Sequence, residues 1–252
     1  MFYRPIVCVA HPGHELRIWG WIQRLQPQVH VLTDGSGHTA IPRIQETRRL
    51  LEKLGASPGD IFGESTDKEI YAAILQRQYA LFGGFLNRLV AALVAANADA
   101  IIGDPYEGFN PSHDICRELA DAAAAIASRK MGHEVRSYDF TLTPTESGNH
   151  VSDRRESLSL ALEDAPLAEK LRAAQNFRGL EDETRAAIEK FGPDSFRNEP
   201  IRQLAPRDLS ERRGPHYYER VGQERVQAGV YATRIGFGEH VEPLLQYIRA
   251  HV

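Results

Sequence analysis

Cysteine, methionine and tryptophan are scarce in this chain, with two of each among 252 residues. Two cysteines, Cys8 and Cys116, cannot build a disulfide framework or a four-cysteine zinc site, and their spacing matches no redox motif. Both fall within predicted core elements, so we expect them to be small buried hydrophobic residues and not a disulfide pair.

The chain also lacks a long apolar run and an excess of charge of either sign. No hydrophobic stretch approaches the roughly 20 residues of a membrane helix, and the N-terminus shows no basic region followed by an apolar core. With 30 Lys and Arg against 34 Asp and Glu, the formal net charge is −4, which gives no basic footprint for nucleic acid. We therefore expect a cytoplasmic protein with neither a membrane nor a nucleic acid as partner.

Short apolar runs alternate with amphipathic segments through the first 145 residues. The predicted strands are 6–10, 29–33, 60–62, 100–103 and 134–140. The predicted helices between them are 16–25, 42–54, 79–96 and 115–130. This alternation predicts an α/β fold, a Rossmann-like and mainly parallel sheet with helices on both faces.

The pattern changes after residue 145. The predicted elements there are helices at 157–176, 182–191 and 241–250, and a loop at 147–150. The stretch 192–214 is polar and contains three prolines, and the sequence leaves open whether it is a mobile lid. We predict one domain over 1–252, with an α/β core at 1–145 and helical and loop additions at 146–252.

Two histidines follow the first predicted strand, in the motif His11-Pro12-Gly13-His14-Glu15. A third, His113, follows the strand at 100–103. Ligands of α/β sheets bind at the carboxyl ends of the strands, so three imidazoles can converge in one crevice there. Three nitrogen donors with open coordination positions are typical of a catalytic transition-metal site.

Several segments, taken in order, resemble the PIG-L/LmbE family of zinc-dependent N-acetylglucosamine deacetylases. The similar segments are Ala10 to Glu15, Thr33-Asp34-Gly35, Arg43 and Glu46 before Leu54-Gly55, Pro105 to Asp114, Phe196 to Glu199, and Tyr217-Tyr218-Glu219. The likeness covers nearly the whole chain and identifies it as a divergent member. It implies the family's fold and a small-molecule substrate, an N-acylated amino sugar or sugar conjugate.

The resemblance implies that His11 and His113 keep the family's metal-ligand roles and that His14 replaces its ligand aspartate. The Nδ1 atom of His14 is as many bonds from the backbone as a carboxylate oxygen of Asp, so it can take the same coordination point. Three imidazoles with an open position are a known ligand set for catalytic zinc. We therefore expect Zn²⁺ as cofactor, with another divalent metal as the alternative.

The proton-transfer residues of the family are all changed. Gly13 stands in place of the general base, and Asn110 and Ser112 replace a His and Asp pair. We expect a metal-bound hydroxide as nucleophile, Asn110 to polarise the carbonyl, and Glu15 or Asp114 to handle protons. Both carboxylates have a structural alternative, because acidic groups stabilise the first turn of a helix.

Three further residues are candidates for substrate contact. The resemblance gives this role to Arg43, and Tyr106 and Glu107 lie in the segment that precedes His113. Arg43 has a structural alternative as a surface partner of Glu46. The alternative role of Glu107 is that of a base, or of a hydrogen-bond partner that supports a metal ligand.

The sequence therefore favours a metal-dependent hydrolase of the N-acetylglucosaminyl deacetylase type, which cleaves an amide (N-acyl) bond. The alternative is a non-hydrolytic descendant, either a binding module or an enzyme with different metal-assisted chemistry, because the proton-transfer set is lost as a unit. The acyl group, the metal and the oligomeric state stay open, with a homo-oligomer among the options.

Overall fold

The computed structural model describes residues 3–37, 39–142, 154–204 and 216–252. Of residues 154–156 it describes the backbone alone. The predicted loop at 147–150 lies outside the described residues. So does the part of 192–214 that follows residue 204.

A seven-stranded sheet organises the described residues. Its strands are β1 (Pro5–Val9), β2 (Gln28–Thr33), β3 (Ser57–Ser65), β4 (Ala100–Gly103), β5 (Arg136–Phe140), β6 (Arg154–Ala161) and β7 (Asn198–Leu204). Their order is β3-β2-β1-β4-β5-β7-β6. The first five are parallel, and β7 runs antiparallel to both of its neighbours. The predicted α/β fold with a mainly parallel sheet is confirmed.

Helices cover both faces of this sheet. In the described ranges they are α1 (Trp19–Leu25), α2 (Ile44–Leu54), α3 (Asp67–Leu75), α4 (Tyr79–Ala95), α5 (Pro111–Met131), α6 (Asp164–Gln175), α7 (Glu181–Phe191), α8 (Tyr217–Gln227) and α9 (Glu242–Arg249). One core cluster packs α4, α5 and α9 on one face, and a second packs α1, α2 and α6 on the other. A search of the described helices finds none with the length and apolar character that a bilayer crossing requires.

Local signals fix both ends of α5, the longest helix of the described residues. The side chain of Asn110 accepts a hydrogen bond from the backbone N–H of Ser112 at 2.9 Å, and Pro111 takes the first helical position. Gly132 ends the helix with φ of 74°, a left-handed conformation that glycine adopts without strain. The N-terminal cap places His113 in the first turn of α5, which follows the loop after β4.

The predicted helix at 157–176 is wrong, and the additions after residue 146 are not helices and loops alone. The segment 157–176 is not one helix, because β6 precedes α6 within it. Leu158 and Leu160 alternate with serines and pack against the second core cluster, which is the period of a strand. The stretch 192–214 contains β7. Residues after 146 therefore add strands to the sheet as well as helices.

A buried ion pair ties α6 and β7 to the first helix. Lys170 Nζ lies 2.8 Å from Glu199 Oε1, and the Glu199 carboxylate accepts hydrogen bonds from the backbone N–H groups of Gly20 and Trp21. Removal of one partner from such a pair leaves an uncompensated buried charge and costs about 3–5 kcal/mol. The pair thus fixes α6 against the segment that follows β1.

The two cysteines are buried, and their thiols are free. Cys8 on β1 and Cys116 on α5 are in contact, with 3.7 Å between the sulfur atoms. Burial raises the pKa of the Cys116 thiol well above its ordinary value. This agrees with the expectation of two small buried hydrophobic residues.

Candidate functional site

Three imidazoles meet at the carboxyl end of the parallel sheet. His11 and His14 follow β1, and His113 follows β4. These two strands are neighbours at the point where the strand order reverses, which is where open α/β sheets bind ligands. The ring centroids are 5.3 Å apart for His11 and His14, 5.1 Å for His11 and His113, and 4.6 Å for His14 and His113. The structure thus brings together the three histidines singled out from the sequence.

Each of these imidazoles faces a carboxylate through its Nδ1 atom. The pairs are His11 with Asp67 at 2.8 Å, His14 with Asp104 at 2.9 Å, and His113 with Glu107 at 2.6 Å. An ionised carboxylate only accepts hydrogen bonds, so Nδ1 carries a proton in each ring, and the neutral form of each ring keeps the lone pair on Nε2. The three Nε2 atoms are therefore the ones able to bind a cation.

The expectation that His14 presents its Nδ1 atom as a ligand is wrong. That atom donates to Oδ1 of Asp104, so the ring can bind a cation only through the more distant Nε2. Cation binding through Nε2 is compatible with the ring positions, because the ring plane of His14 is nearly perpendicular to those of both other imidazoles.

Burial and charge act in opposite directions on the His14 and Asp104 pair. Burial lowers the pKa of His14, but the Asp104 carboxylate outweighs this effect, and the net pKa is raised. Burial raises the pKa of Asp104, but the charge and hydrogen bond of His14 outweigh it, and the net pKa is lowered. Burial and the two other imidazoles lower the pKa of His113 well below its ordinary value. That ring is consequently neutral at pH 7, the form that binds metals.

Sequence reasoning missed Asp67 and Asp104. Asp104 is fully buried directly after β4, and a polar residue at the carboxyl end of a parallel strand is a signal that could have found it. Asp67 lies in the first turn of α3, which begins at a capping box between Thr66 and Glu69. Because α3 was not predicted, nothing in the sequence pointed to the contact of Asp67 with His11.

Asn110 turns its amide nitrogen toward the imidazoles. Its Oδ1 atom accepts hydrogen bonds from the backbone N–H of Ser112 at 2.9 Å and the hydroxyl of Tyr71 at 3.2 Å. Burial raises the pKa of Tyr71 to about 12, so this hydroxyl stays a donor. The Nδ2 atom of Asn110 consequently lies on the other side, 3.4 Å from Nε2 of His11. The site therefore holds an N–H donor beside His11.

Glu15 and Asp114, the expected proton-transfer residues, accept hydrogen bonds from backbone N–H groups of the loops. The Glu15 carboxylate is fully buried and accepts hydrogen bonds from Gly13 N at 2.8 Å and Thr47 Oγ1 at 2.7 Å. Burial raises the pKa of Glu15. Oδ1 of Asp114 accepts from the backbone N–H groups of Glu107 and the residue after it, each at 3.1 Å. These contacts shape the two loops that carry the histidines.

The expected substrate contacts lie in different surroundings. Glu107 is engaged with His113, as described above. Arg43 lies beside the loop after β2, and its Nη1 donates to the carbonyl oxygen of Gly179 at 3.4 Å. Tyr106 is buried, with 7% of its surface exposed. Arg43 and Glu107 are partly open to solvent, whereas Tyr106 is not.

Within the described ranges, no set of three or more His, Cys, Asp or Glu side chains has the geometry of a formed metal centre. The ring separations still suit one: with nitrogens about 2.1 Å from a tetrahedral ion, imidazole centroids lie about 5 Å apart. β1, β4 and α5 fix the positions of the rings, whereas rotation of a ring moves its Nε2 atom. The residues therefore fit a metal ion after side-chain adjustment.

No protein-family profile matches the chain, and no curated protein matches its sequence. Its fold is similar to that of solved deacetylases. One is a deacetylase in complex with teicoplanin, from the biosynthesis pathway of teicoplanin, with a TM-score of 0.54 and 10% identity, covering 81% of this chain and 99% of that one. Another is the A40926 pseudoaglycone deacetylase, with a TM-score of 0.52 and 13% identity, covering 80% of this chain and 97% of that one. A deacetylase–bog complex from the teicoplanin pathway gives a TM-score of 0.51 at 12% identity, covering 81% of this chain and 99% of that one. At these identities the similarity shows a shared fold.

Proposed function

We propose that this chain is a metal-dependent hydrolase of the N-acetylglucosaminyl deacetylase type, and a divergent, cytoplasmic member of the PIG-L/LmbE family. Its substrate is a small molecule, an N-acylated amino sugar or sugar conjugate. The observation that carries the proposal is the convergence of three imidazoles, each of which donates a hydrogen bond from Nδ1 to a carboxylate. The shared fold with deacetylases, one of them in complex with teicoplanin, supports the substrate class.

His11, His14 and His113 would hold the ion, through Nε2 in each case. Carboxylates on the far nitrogen fix the tautomer and orientation of a ligand imidazole and raise its basicity. Three neutral nitrogen donors with an open position suit Zn²⁺, and another divalent cation would also be accepted. When bound, such an ion supplies a Lewis acid and an acidified water.

Asn110 would stabilise the oxygen of the scissile amide as negative charge develops on it. The Ser112 and Tyr71 contacts to Oδ1 fix the amide group before any substrate arrives. A donor that is already oriented costs no reorganisation during the reaction, and loss of one such donor lowers kcat by about 10²–10³.

Proton transfer has little support from the protein. The carboxylates of Glu15 and Asp114 accept hydrogen bonds from backbone N–H groups. Those of Asp104 and Glu107 accept hydrogen bonds from imidazole rings. We therefore propose that solvent, and not a positioned side chain, protonates the leaving amine. A positioned acid or base contributes typically 10²–10⁴-fold, so turnover slower by about that factor than in relatives with such a group is expected.

The test is hydrolysis of N-acyl amino sugars by protein loaded with Zn²⁺ or Co²⁺. Wild-type protein should release carboxylic acid from at least one of them. Asn110→Asp keeps the oxygen that Ser112 and Tyr71 contact but loses the N–H donor, so kcat should fall about 10²–10³-fold while the protein stays folded. An unchanged kcat in this variant would contradict the role of Asn110.

A second candidate function is a non-hydrolytic descendant that binds a ligand at the same imidazoles. One observation favours it: Leu180 packs directly on Gly13, the position of the family's general base, so a carboxylate side chain there would require Leu180 to move. This candidate predicts metal and ligand binding by the wild-type protein without release of acid from any N-acyl amino sugar. Measurable hydrolysis that requires His113 would exclude it.

A further inference from the structure

Gly13 lies in a turn where a side chain would strain the backbone and displace Leu180. Its φ is 104°, a value that L-residues rarely adopt. A Cβ atom on Gly13 would overlap with Cδ1 of Leu180 and lie 3.5 Å from Cε1 of Phe177. The side chain of Leu180 therefore occupies the place in which a residue at position 13 would carry its own.

The segment that bears Leu180, between α6 and α7, is docked against the sheet. Phe177 is 3% exposed and belongs to the core cluster of α1 and α2. The backbone N–H of Leu180 donates to the carbonyl of Phe177 at 3.0 Å, and the carbonyl of Gly179 accepts from Arg43. The segment thus contacts both the loop after β1 and the start of α2.

Leu180 adjoins the backbone that joins two of the three imidazoles, because Gly13 lies between His11 and His14. The side chain is only partly buried. An acyl group that is bound at the imidazoles and extends toward Gly13 would meet Leu180, a contact that excludes longer chains by volume.

We propose that Leu180 is a specificity-determining residue, which fills the space beside Gly13 and restricts the acyl group to a short one such as acetyl. The inference rests on the proposed N-acyl hydrolase function. Leu180→Ala removes three carbon atoms at this point and opens room for an acyl chain longer by about that number. The variant therefore accepts longer acyl groups than the wild-type protein does.

Linear alkyl hydroxamates, from acetohydroxamate to hexanohydroxamate, combine an acyl chain with a metal-chelating head. Titrated into the full-length protein loaded with Co²⁺, they report binding through the visible spectrum without any turnover. The matched control is Ile188→Ala, which truncates another partly buried aliphatic side chain on α7. Leu180→Val is a second variant that keeps most of the packing.

Wild type and Ile188→Ala should bind acetohydroxamate at least about tenfold more tightly than hexanohydroxamate, since a missing or extra methylene in a pocket is worth about tenfold or more. In Leu180→Ala this ratio should fall to about one or reverse, with an intermediate ratio in Leu180→Val. A ratio unchanged in both variants, with Co²⁺ bound, overturns the inference and leaves the proposed function intact. Failure of the wild-type protein to bind Co²⁺ before any hydroxamate is added overturns both. Equal melting temperatures of Leu180→Ala and Ile188→Ala show that a changed ratio does not arise from unfolding.

Discussion

Asp104 joins His14 to the end of β1. Its Oδ1 atom accepts a hydrogen bond from Nδ1 of His14 at 2.9 Å, and its Oδ2 atom accepts one from the backbone N–H of Ala10 at 2.7 Å. One fully buried carboxylate therefore fixes both the orientation of the ring and the backbone that leads into the histidine motif.

Asp104→Asn should weaken metal binding by about 10–100-fold, because an amide oxygen is a poorer acceptor and orients the ligand ring less firmly. The measurement is a competition titration of Zn²⁺ against a chromophoric chelator. Asp34→Asn is the matched control, since this buried carboxylate follows β2 and accepts from the backbone N–H of Ser36. Equal affinities of wild type and Asp104→Asn would contradict the role given to Asp104.

Gly13→Ala should destabilise the protein by about 1–3 kcal/mol, because φ of 104° strains an L-residue and the new methyl group overlaps Leu180. In Gly13→Ala/Leu180→Ala the overlap is gone, so the double variant should be more stable than the sum of the single effects predicts. Urea unfolding of the four proteins should give a coupling of about 0.5–3 kcal/mol.

Gly132→Ala is the control for that coupling. Gly132 also has a positive φ, 74°, but a Cβ there meets no atom within 4 Å. Its destabilisation should be the same with and without Leu180→Ala. If Gly132→Ala and Leu180→Ala showed the same coupling energy as Gly13→Ala and Leu180→Ala, the effect of Leu180 on stability would not be specific to the Gly13 turn.

His30 should make the stability of the fold depend on pH. It is buried on β2, its Nδ1 accepts from the backbone N–H of Ile61, and burial lowers its pKa to about 4, with Arg88 adding to that effect and Asp60 opposing it. The unfolded chain, with a histidine pKa near 6.5, binds the proton more readily than the folded chain. Stability from neutral His30 is therefore complete above about pH 6.5 and is lost as pH falls toward 4, by about 2 kcal/mol at pH 5.

The measurement is urea unfolding at pH 7.5 and pH 5 of wild type and His30→Gln. Glutamine keeps an acceptor for Ile61 but does not titrate. The loss of stability between the two pH values should therefore be about 2 kcal/mol smaller in His30→Gln than in wild type. Identical pH dependence of the two proteins would show that His30 is not the group responsible.

β1 and β4 could be predicted because they are short apolar runs between amphipathic segments. β1 and β4 also end at the histidine motifs, so the sequence indicated which side chains share a crevice. β6 was mistaken for a helix since its leucines, at alternate positions, run without a turn signal into α6. Its pairing with β7 is a non-local contact that no local pattern encodes.

The histidine positions in the site could be predicted, but their partners could not. Asp67 depends on α3, a short helix with weak periodicity, and its contact with His11 joins residues 56 positions apart. The contact of Leu180 with Gly13 joins still more distant segments. Such pairs follow from how helices pack on the sheet, which the sequence pattern alone does not specify.

The central claim, that three imidazoles from two loops bind one cation, is tested most directly by the visible absorption spectrum of the Co²⁺-loaded protein. We predict stoichiometric binding with the intense bands of four-coordinate Co²⁺, and loss of these bands in His113→Ala. Weak six-coordinate bands that persist in His113→Ala, or no stoichiometric binding by the wild-type protein, would contradict the account.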